Sequence, residues 1–249
     1  MKDELERARA VLRNTQGVGV SIAPSYVCAF PGVSPQGVVA MLASLGFSRI
    51  EETASVMPYV IEKRLSQWES TRRPVISTSC PRVVEMVTRD FPGLIENLFR
   101  LPSPMVLHTR DMHHRAPGGV VFIGPCSVKL SDARAHPGSA DVVLTFDELA
   151  EWLDEEGLTP GRVRPMPAHV TAPPWAVASL LAADATGMNA CRRFLERLSA
   201  LPENVPGDKP FIELLACEGG CLGGQGMSRA GDLARRRATL VHMLRDIHL

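Results

Sequence analysis

The chain has 249 residues, 45% hydrophobic and 22% charged, which suits one large or two small globular domains with a sizeable core and excludes a disordered chain. Lysine plus arginine and aspartate plus glutamate each number 27; this balance argues against nucleic acid or a membrane surface as partner, since both call for a positive excess. No apolar run approaches the roughly 18–20 residues of a membrane span.

The N-terminal stretch MKDELERARAVLRNTQ reads as an exposed amphipathic helix without the apolar centre of a signal peptide, which points to the cytoplasm. In that compartment the six cysteines are expected to be reduced, so metal or redox roles are the better default. GVGVSIAPSYVCAF opens as a buried strand that Pro24 ends. SPQGVVAMLASLGF follows as a helix, with Ser34 as N-cap, Pro35 in the first turn and Gly46 at the C-terminal end. RIEETA reads as a short strand, MPYVIEKRLSQWES as a helix, and RPVISTSCP as a strand running into Cys80. RVVEMVTRDFPGLIENL is helical at first.

The order then repeats. GGVVFIGPC is a strand ending at Cys126, and ADVVLTFDELAEWLDEEG is a strand followed by a helix with a Thr145–Glu148 capping box. Residues 160–210 form a proline-rich connection around one helix, about Ala176 to Leu201. FIELLACEGGC returns to a strand or buried helix, and SRAGDLARRRATLVHMLRDI closes the chain as a basic helix. The alternation predicts an α/β protein with mostly parallel sheets: two parallel-sheet lobes, about 17–105 and 118–227, flanked by helices around a central site, then a C-terminal helix over 228–249, all one functional domain. Ligands in such folds gather beyond the carboxyl ends of strands, where Cys80 and Cys126 are expected.

Four cysteines stand in turn-like contexts beside proline or glycine: Cys80 in TSCP, Cys126 in GPCSVK, and Cys217 with Cys221 in ACEGGC. Turns of this kind can aim backbone N–H groups at thiolates, as iron–sulfur ligation uses. Two other readings stand beside that one: small core residues, and structural zinc, for which only Cys217 and Cys221 have the usual close spacing. Cys28 and Cys191 read as packing residues. His113 and His114 read as a solvated turn, and His108 equally as a satisfied core histidine or a neighbour of the site. Glu213 and Glu218 could relay protons or simply be exposed.

TSCP, GPCSVK and FIELLACEGGC resemble, in order, the three cluster-binding motifs of the [FeFe]-hydrogenase catalytic domain. VSIAPS is similar to that family's first motif and ADVVLTFDELAEWL to the segment after its second, so the resemblance covers nearly the whole chain. It implies a [4Fe–4S] cube on Cys80, Cys126, Cys217 and Cys221, the last also bridging to a di-iron unit with CO, cyanide and a dithiolate. Lys129 would hold a cyanide, and Ala23, Pro24, Ser25, Pro125 and Met105 would line the cofactor. The partners implied are hydrogen and protons, a redox protein such as a ferredoxin, and maturation proteins, with no nucleic acid and no membrane.

The sequence departs from the family at several places. Ser79 stands where active members carry the proton-donor cysteine, and a hydroxyl is a far weaker acid than a thiol of pKa about 8.5. Gly124 replaces a methionine and Met105 a glutamine; the interval from Cys126 to Cys217 is shortened, and no cysteines are left for an accessory cluster. These features look like the family's sensory branch, whose output would here pass to a separate signalling partner. Three readings follow: a complete cluster with slow turnover or hydrogen or redox sensing, a cube alone for electron transfer or cluster assembly, or the fold converted to another reaction. Lys129 favours the first, Ser79 and the shortened lobe the others.

Overall fold

The computed structural model describes residues 2–159, 183–201 and 211–246. Its main sheet has four parallel strands in the order β2-β1-β4-β5: β1 (Gly19–Ile22), β2 (Arg49–Glu52), β4 (Val120–Gly124) and β5 (Val142–Thr145). β1, β4 and β5 are buried along their whole length, as parallel strands covered by helices must be, and they read in the sequence as continuous apolar runs rather than alternating ones. The β1–β4 register sets Ile22 beside Ile123, so the residues after each strand emerge side by side at the same sheet edge.

Helices cover this sheet. α1 (Lys2–Asn14) and α8 (Phe146–Glu155) pack on β5, α3 (Pro35–Ser44) on β2, and α6 (Pro104–His113) on β1 and β4. Several local signals hold. Ser34 Oγ accepts from the Gly37 N–H at 3.1 Å, and the Thr145–Glu148 capping box is complete, each cap being worth about 1 kcal/mol. Gly46, with φ of 106°, follows α3 in a conformation that an L side chain resists. The N-terminal helix is not simply exposed: Leu5 and Ala8 are buried against the main core, because its apolar stripe needs a face to cover.

Two smaller parallel pairs stand apart: β3 (Val75–Ile76) with β7 (Phe211–Ile212), and β6 (Ala185–Thr186) with β8 (Leu214–Leu215). Between them, α5 (Pro81–Asp90) and α9 (Met188–Ser199) bury Val83, Met86, Val87, Cys191 and Leu195 with Ile76, Ile212 and Leu214. The chain is completed by α2 (Tyr26–Ala29), α4 (Met57–Thr71), α7 (Lys129–Ala135) and α10 (Leu233–Asp246).

Several expectations need correction. β3 stops at Ile76, four residues short of Cys80, where Ser77 and Ser79 bond each other and Thr78 Oγ1 donates to the Leu101 carbonyl. The helix expected from Ala176 begins at Met188, after residues 185–186 have paired as a strand; its expected first part lies outside the described residues. FIELLACEGGC is neither one strand nor a helix. Its residues split into two short strands, on either side of Glu213, that pair with different partners. His113 is not in a solvated turn: it ends α6 half-buried, with Nε2 at 2.7 Å from the Ser139 carbonyl oxygen.

Candidate metal centre

Three chain segments carry the four cysteines, near enough for their charges to act on one another. Cys80 is the residue before α5, and its carbonyl accepts from the N–H groups of Val83 and Val84 at 3.0 and 3.1 Å. Pro81 in the first turn costs no hydrogen bond there. Cys126 follows β4, at the start of the turn that leads into α7. Cys217 and Cys221 follow β8 in a turn built from glycine. Gly219 and Gly220 have φ of 74° and 69°, the left-handed region where a Cβ is costly.

The glycines beyond the turn are needed for closeness. A Cβ on Gly223 would overlap the Glu218 carbonyl oxygen, and one on Gly224 the carbonyl oxygen of Pro125. Gly226 N–H donates to that same oxygen at 2.9 Å, tying this loop to the one that carries Cys126. Arg236 of α10 donates to the carbonyls of Leu222 and Gly231, both at 2.6 Å. Asp147 of α8 accepts from Ser228 and Arg229 N–H groups at 2.8 and 3.0 Å. The loop after Cys221 is therefore clamped from two helices.

The thiols sense one another. Burial is the first cause raising Cys126, Cys217 and Cys221, and the neighbouring Cys80 raises each of them further. Cys221 is pushed up to about 12. Burial also pushes Cys28 and Cys191 up to about 11; both are fully buried, as packing residues should be, though Cys80 acts on Cys191 as well. Among the described residues no three His, Cys, Asp or Glu side chains could together hold one metal ion.

Lys129 lies at the start of α7 with its side chain 13% exposed. Its Nζ donates to the Ser79 carbonyl at 2.9 Å and to Asp132 Oδ2 at 2.8 Å, and its charge acts on both Cys126 and Cys221. Ser103 Oγ donates to the same Asp132 oxygen at 2.6 Å. Ala23 and Ser25 are buried, Ala23 beside Gly124: its N–H donates to the Ile123 carbonyl at 2.8 Å, and Pro24 is partly exposed. Ser25 Oγ is fully buried without a hydrogen-bond partner. Met105 is 1% exposed in the main core at the first turn of α6.

At Gly124 an added Cβ would stand 2.6 Å from the Phe122 ring, so that ring fills the space a larger residue would take. His108 is a satisfied core histidine, with Nδ1 at 2.8 Å from Ser21 Oγ and Nε2 at 3.3 Å from Glu51. Its hydrogen bond is the first cause holding Glu51 far below the usual carboxylate range, with Arg115 and Arg49 adding to it.

The sequence profile described as "iron only hydrogenase large subunit, C-terminal domain" matches residues 16–172. The chain belongs to that family. Its fold is the one seen in solved hydrogenases. It overlays an apo cysteine-to-histidine variant of the [FeFe]-hydrogenase HydA1 from Chlamydomonas reinhardtii with a TM-score of 0.74, and a glutamate-to-alanine variant of the same enzyme with 0.73. A structure concerned with oxygen inactivation of an [FeFe]-hydrogenase, through modification and degradation of the 2Fe subcluster of its H cluster, gives 0.72. All three are 18% identical to this chain, covering 95% of it and 88% of the matched chain.

The donor set suits an iron–sulfur group on physical grounds. The four thiols are near enough to act on one another, and the burial that raises Cys126, Cys217 and Cys221 is the cost bound metal ions would offset. The orphaned Ser25 hydroxyl offers a buried donor of the kind a bound polar group would satisfy. Asp132, Ser103, Ser77 and Arg64 were not singled out from the sequence. Asp132 had a usable signal, three residues after Lys129 on a helix; Arg64 and Ser103 had none, since both act across long stretches of chain.

Proposed function

We propose that this member of the family holds a [4Fe–4S] cube on Cys80, Cys126, Cys217 and Cys221, together with a di-iron unit bearing CO, cyanide and a dithiolate. In this reading it handles hydrogen slowly, or registers hydrogen or redox state, rather than turning hydrogen over fast. When bound, that cofactor supplies the site at which hydrogen is split or formed. The observation that carries the reading is the meeting of the four thiols with Lys129 and the buried, unpartnered Ser25 hydroxyl. A cationic donor and a neutral one, both shielded from water, suit small anionic ligands because such bonds strengthen in low dielectric.

Slowness follows from Ser79. Its hydroxyl lies 2.8 Å from Ser77 Oγ and its carbonyl holds Lys129, but a hydroxyl is a poor general acid, and losing a positioned acid costs about 10² to 10⁴ in rate. Phe122 packed over Gly124 is a second departure beside the same strand end. Electrons would come from a small redox protein such as a ferredoxin, the cofactor from maturation proteins, and any signal would leave through a separate partner. No helix among the described residues is long and apolar enough to cross a membrane, which is compatible with a cytoplasmic protein.

A cube-only protein for electron transfer or cluster assembly is the second reading, and one observation favours it. Lys129 already has Asp132 and the Ser79 carbonyl as partners, so its burial is accounted for without a cyanide. Infrared spectroscopy of protein made anaerobically with the maturation enzymes separates the two. Bands from iron-bound CO and cyanide that shift under hydrogen are expected. Their absence, with about four irons per chain bound as one cube, would replace the first reading by the second.

A further inference from the structure

Arg64 lies on the inner face of α4, between Val60 and Gln67. Its side chain is 9% exposed, its guanidinium stacks 4.8 Å from the Phe211 ring centroid, and its Nη1 donates to Glu213 Oε2 at 3.3 Å. The other edge, Nε with Nη2, is buried and has no hydrogen-bond partner. From that edge a guanidinium can send two parallel N–H groups to the two oxygens of a carboxylate or phosphate. Leaving it empty is costly, because a buried donor without an acceptor has lost its water and gained nothing in return.

A second empty donor follows four residues later. Trp68 Nε1 is buried and without a partner, and residues four apart on a helix are surface neighbours. Trp68 and the Phe211 ring under Arg64 pack against the same apolar cluster of Val60, Val75 and Phe99. Arg72, just past the helix end, lays its guanidinium 4.9 Å from the Trp68 ring centroid. Among the described residues no buried side-chain oxygen of α4, β3 or β7 lacks a partner. The unmet groups here are therefore all donors, and the walls apart from Glu213 are apolar. Water suits such a place poorly, since it brings two protons that need acceptors of their own.

We propose that Arg64 and Trp68 form a binding site for a short-chain monocarboxylate. Its two oxygens take the Nε and Nη2 hydrogens of Arg64, one of them also accepting from Trp68 Nε1, and its alkyl part rests on the Phe211 ring and the cluster beneath. Three donor atoms match the two oxygens of a carboxylate, whereas a phosphate would leave most of its four oxygens against apolar walls. With Glu213 charged, Arg64 and Arg72 still leave one positive charge over, which a monoanion balances. Entry is beside Glu213, whose side chain is 23% exposed, and the partly buried Trp68. None of the donors is a cysteine, so the site does not depend on the proposed function.

The test uses the full chain, as isolated and after iron–sulfur reconstitution, with acetate, propionate and butyrate as probes and phosphate and chloride at matched ionic strength as controls. Saturable carboxylate binding by calorimetry is expected, equal in the two forms of the protein, with a shift of the Trp68 indole N–H resonance. Trp68→Phe keeps a ring but removes one hydrogen bond to a charged group, so affinity should fall about 10-fold or more. Arg64→Lys keeps the charge and loses the paired donors, and binding should disappear; if that variant does not fold, Trp68→Phe carries the test alone. No saturable binding, or unchanged affinity in Trp68→Phe, would overturn the proposal and leave these donors to water. Binding seen only after reconstitution would move the carboxylate to the iron and refute the site. Phosphate bound more tightly than every carboxylate would refute the ligand class.

Discussion

Asp132→Asn is the change that most directly tests how Lys129 is held. In the native arrangement the Asp132 carboxylate takes hydrogen bonds from Lys129 Nζ at 2.8 Å and Ser103 Oγ at 2.6 Å, and His136 Nδ1 lies 3.4 Å from its other oxygen. The two side chains of the ion pair are 13% and 8% exposed. Removing one partner of a buried pair leaves an uncompensated charge and costs about 3–5 kcal/mol. Lys129 keeps the Ser79 carbonyl and a little solvent, so the lower end, about 3 kcal/mol, is expected. Urea denaturation of the metal-free protein should show the loss as a lower midpoint at unchanged slope. Replacing both residues, with Lys129→Met added, should recover most of the loss, because a neutral pair has no stranded charge. Asp132→Asn within about 0.5 kcal/mol of wild type, the range of an ordinary surface change, would mean the ammonium is solvated and not held against the Ser79 carbonyl.

Three further outcomes are expected. Replacing Cys80, Cys126, Cys217 or Cys221 by serine, one at a time, should lower bound iron below about four per chain and alter the cube's EPR signal, while Cys28→Ala and Cys191→Ala should keep the iron and lose about 1–2 kcal/mol of stability through the small cavities left; full iron in all four serine variants would remove these thiols as ligands. The metal-free fold should weaken in alkali, because the Cys221 thiol, raised to about 12, stays neutral in the fold after it ionises in the unfolded chain. This contribution is intact below about pH 9 and is lost as pH climbs toward about 12, a ceiling of about 4 kcal/mol; Cys221→Ala should flatten that part of the pH dependence of urea midpoints, and an unchanged slope would contradict it. Gly223→Ala should displace the turn holding Cys221, since its Cβ would overlap the Glu218 carbonyl oxygen, and iron binding in reconstitution should fall; normal iron content would show that the turn can open at little cost.

The sequence by itself determined most of what is local. Apolar runs named β1, β4 and β5, because strands buried on both faces carry no polar alternation. Ser34 and the Thr145–Glu148 pair fixed two helix starts, because a cap is decided by residues within four positions. The family was legible in three cysteine motifs whose neighbours must be glycine or proline, since closeness of backbone to backbone leaves no room for a side chain. Tertiary structure decided what depends on distant chain. α6 and α7 were missed because their residues mix core and polar roles that only neighbours explain. The split of residues 211–215 between two sheets, the burial of Lys129 by Asp132, and the reach of Arg64 to Glu213 across 149 positions leave no periodic trace. Each is a pairing chosen by packing, after burial has made an unpaired charge or an open strand edge too costly to keep.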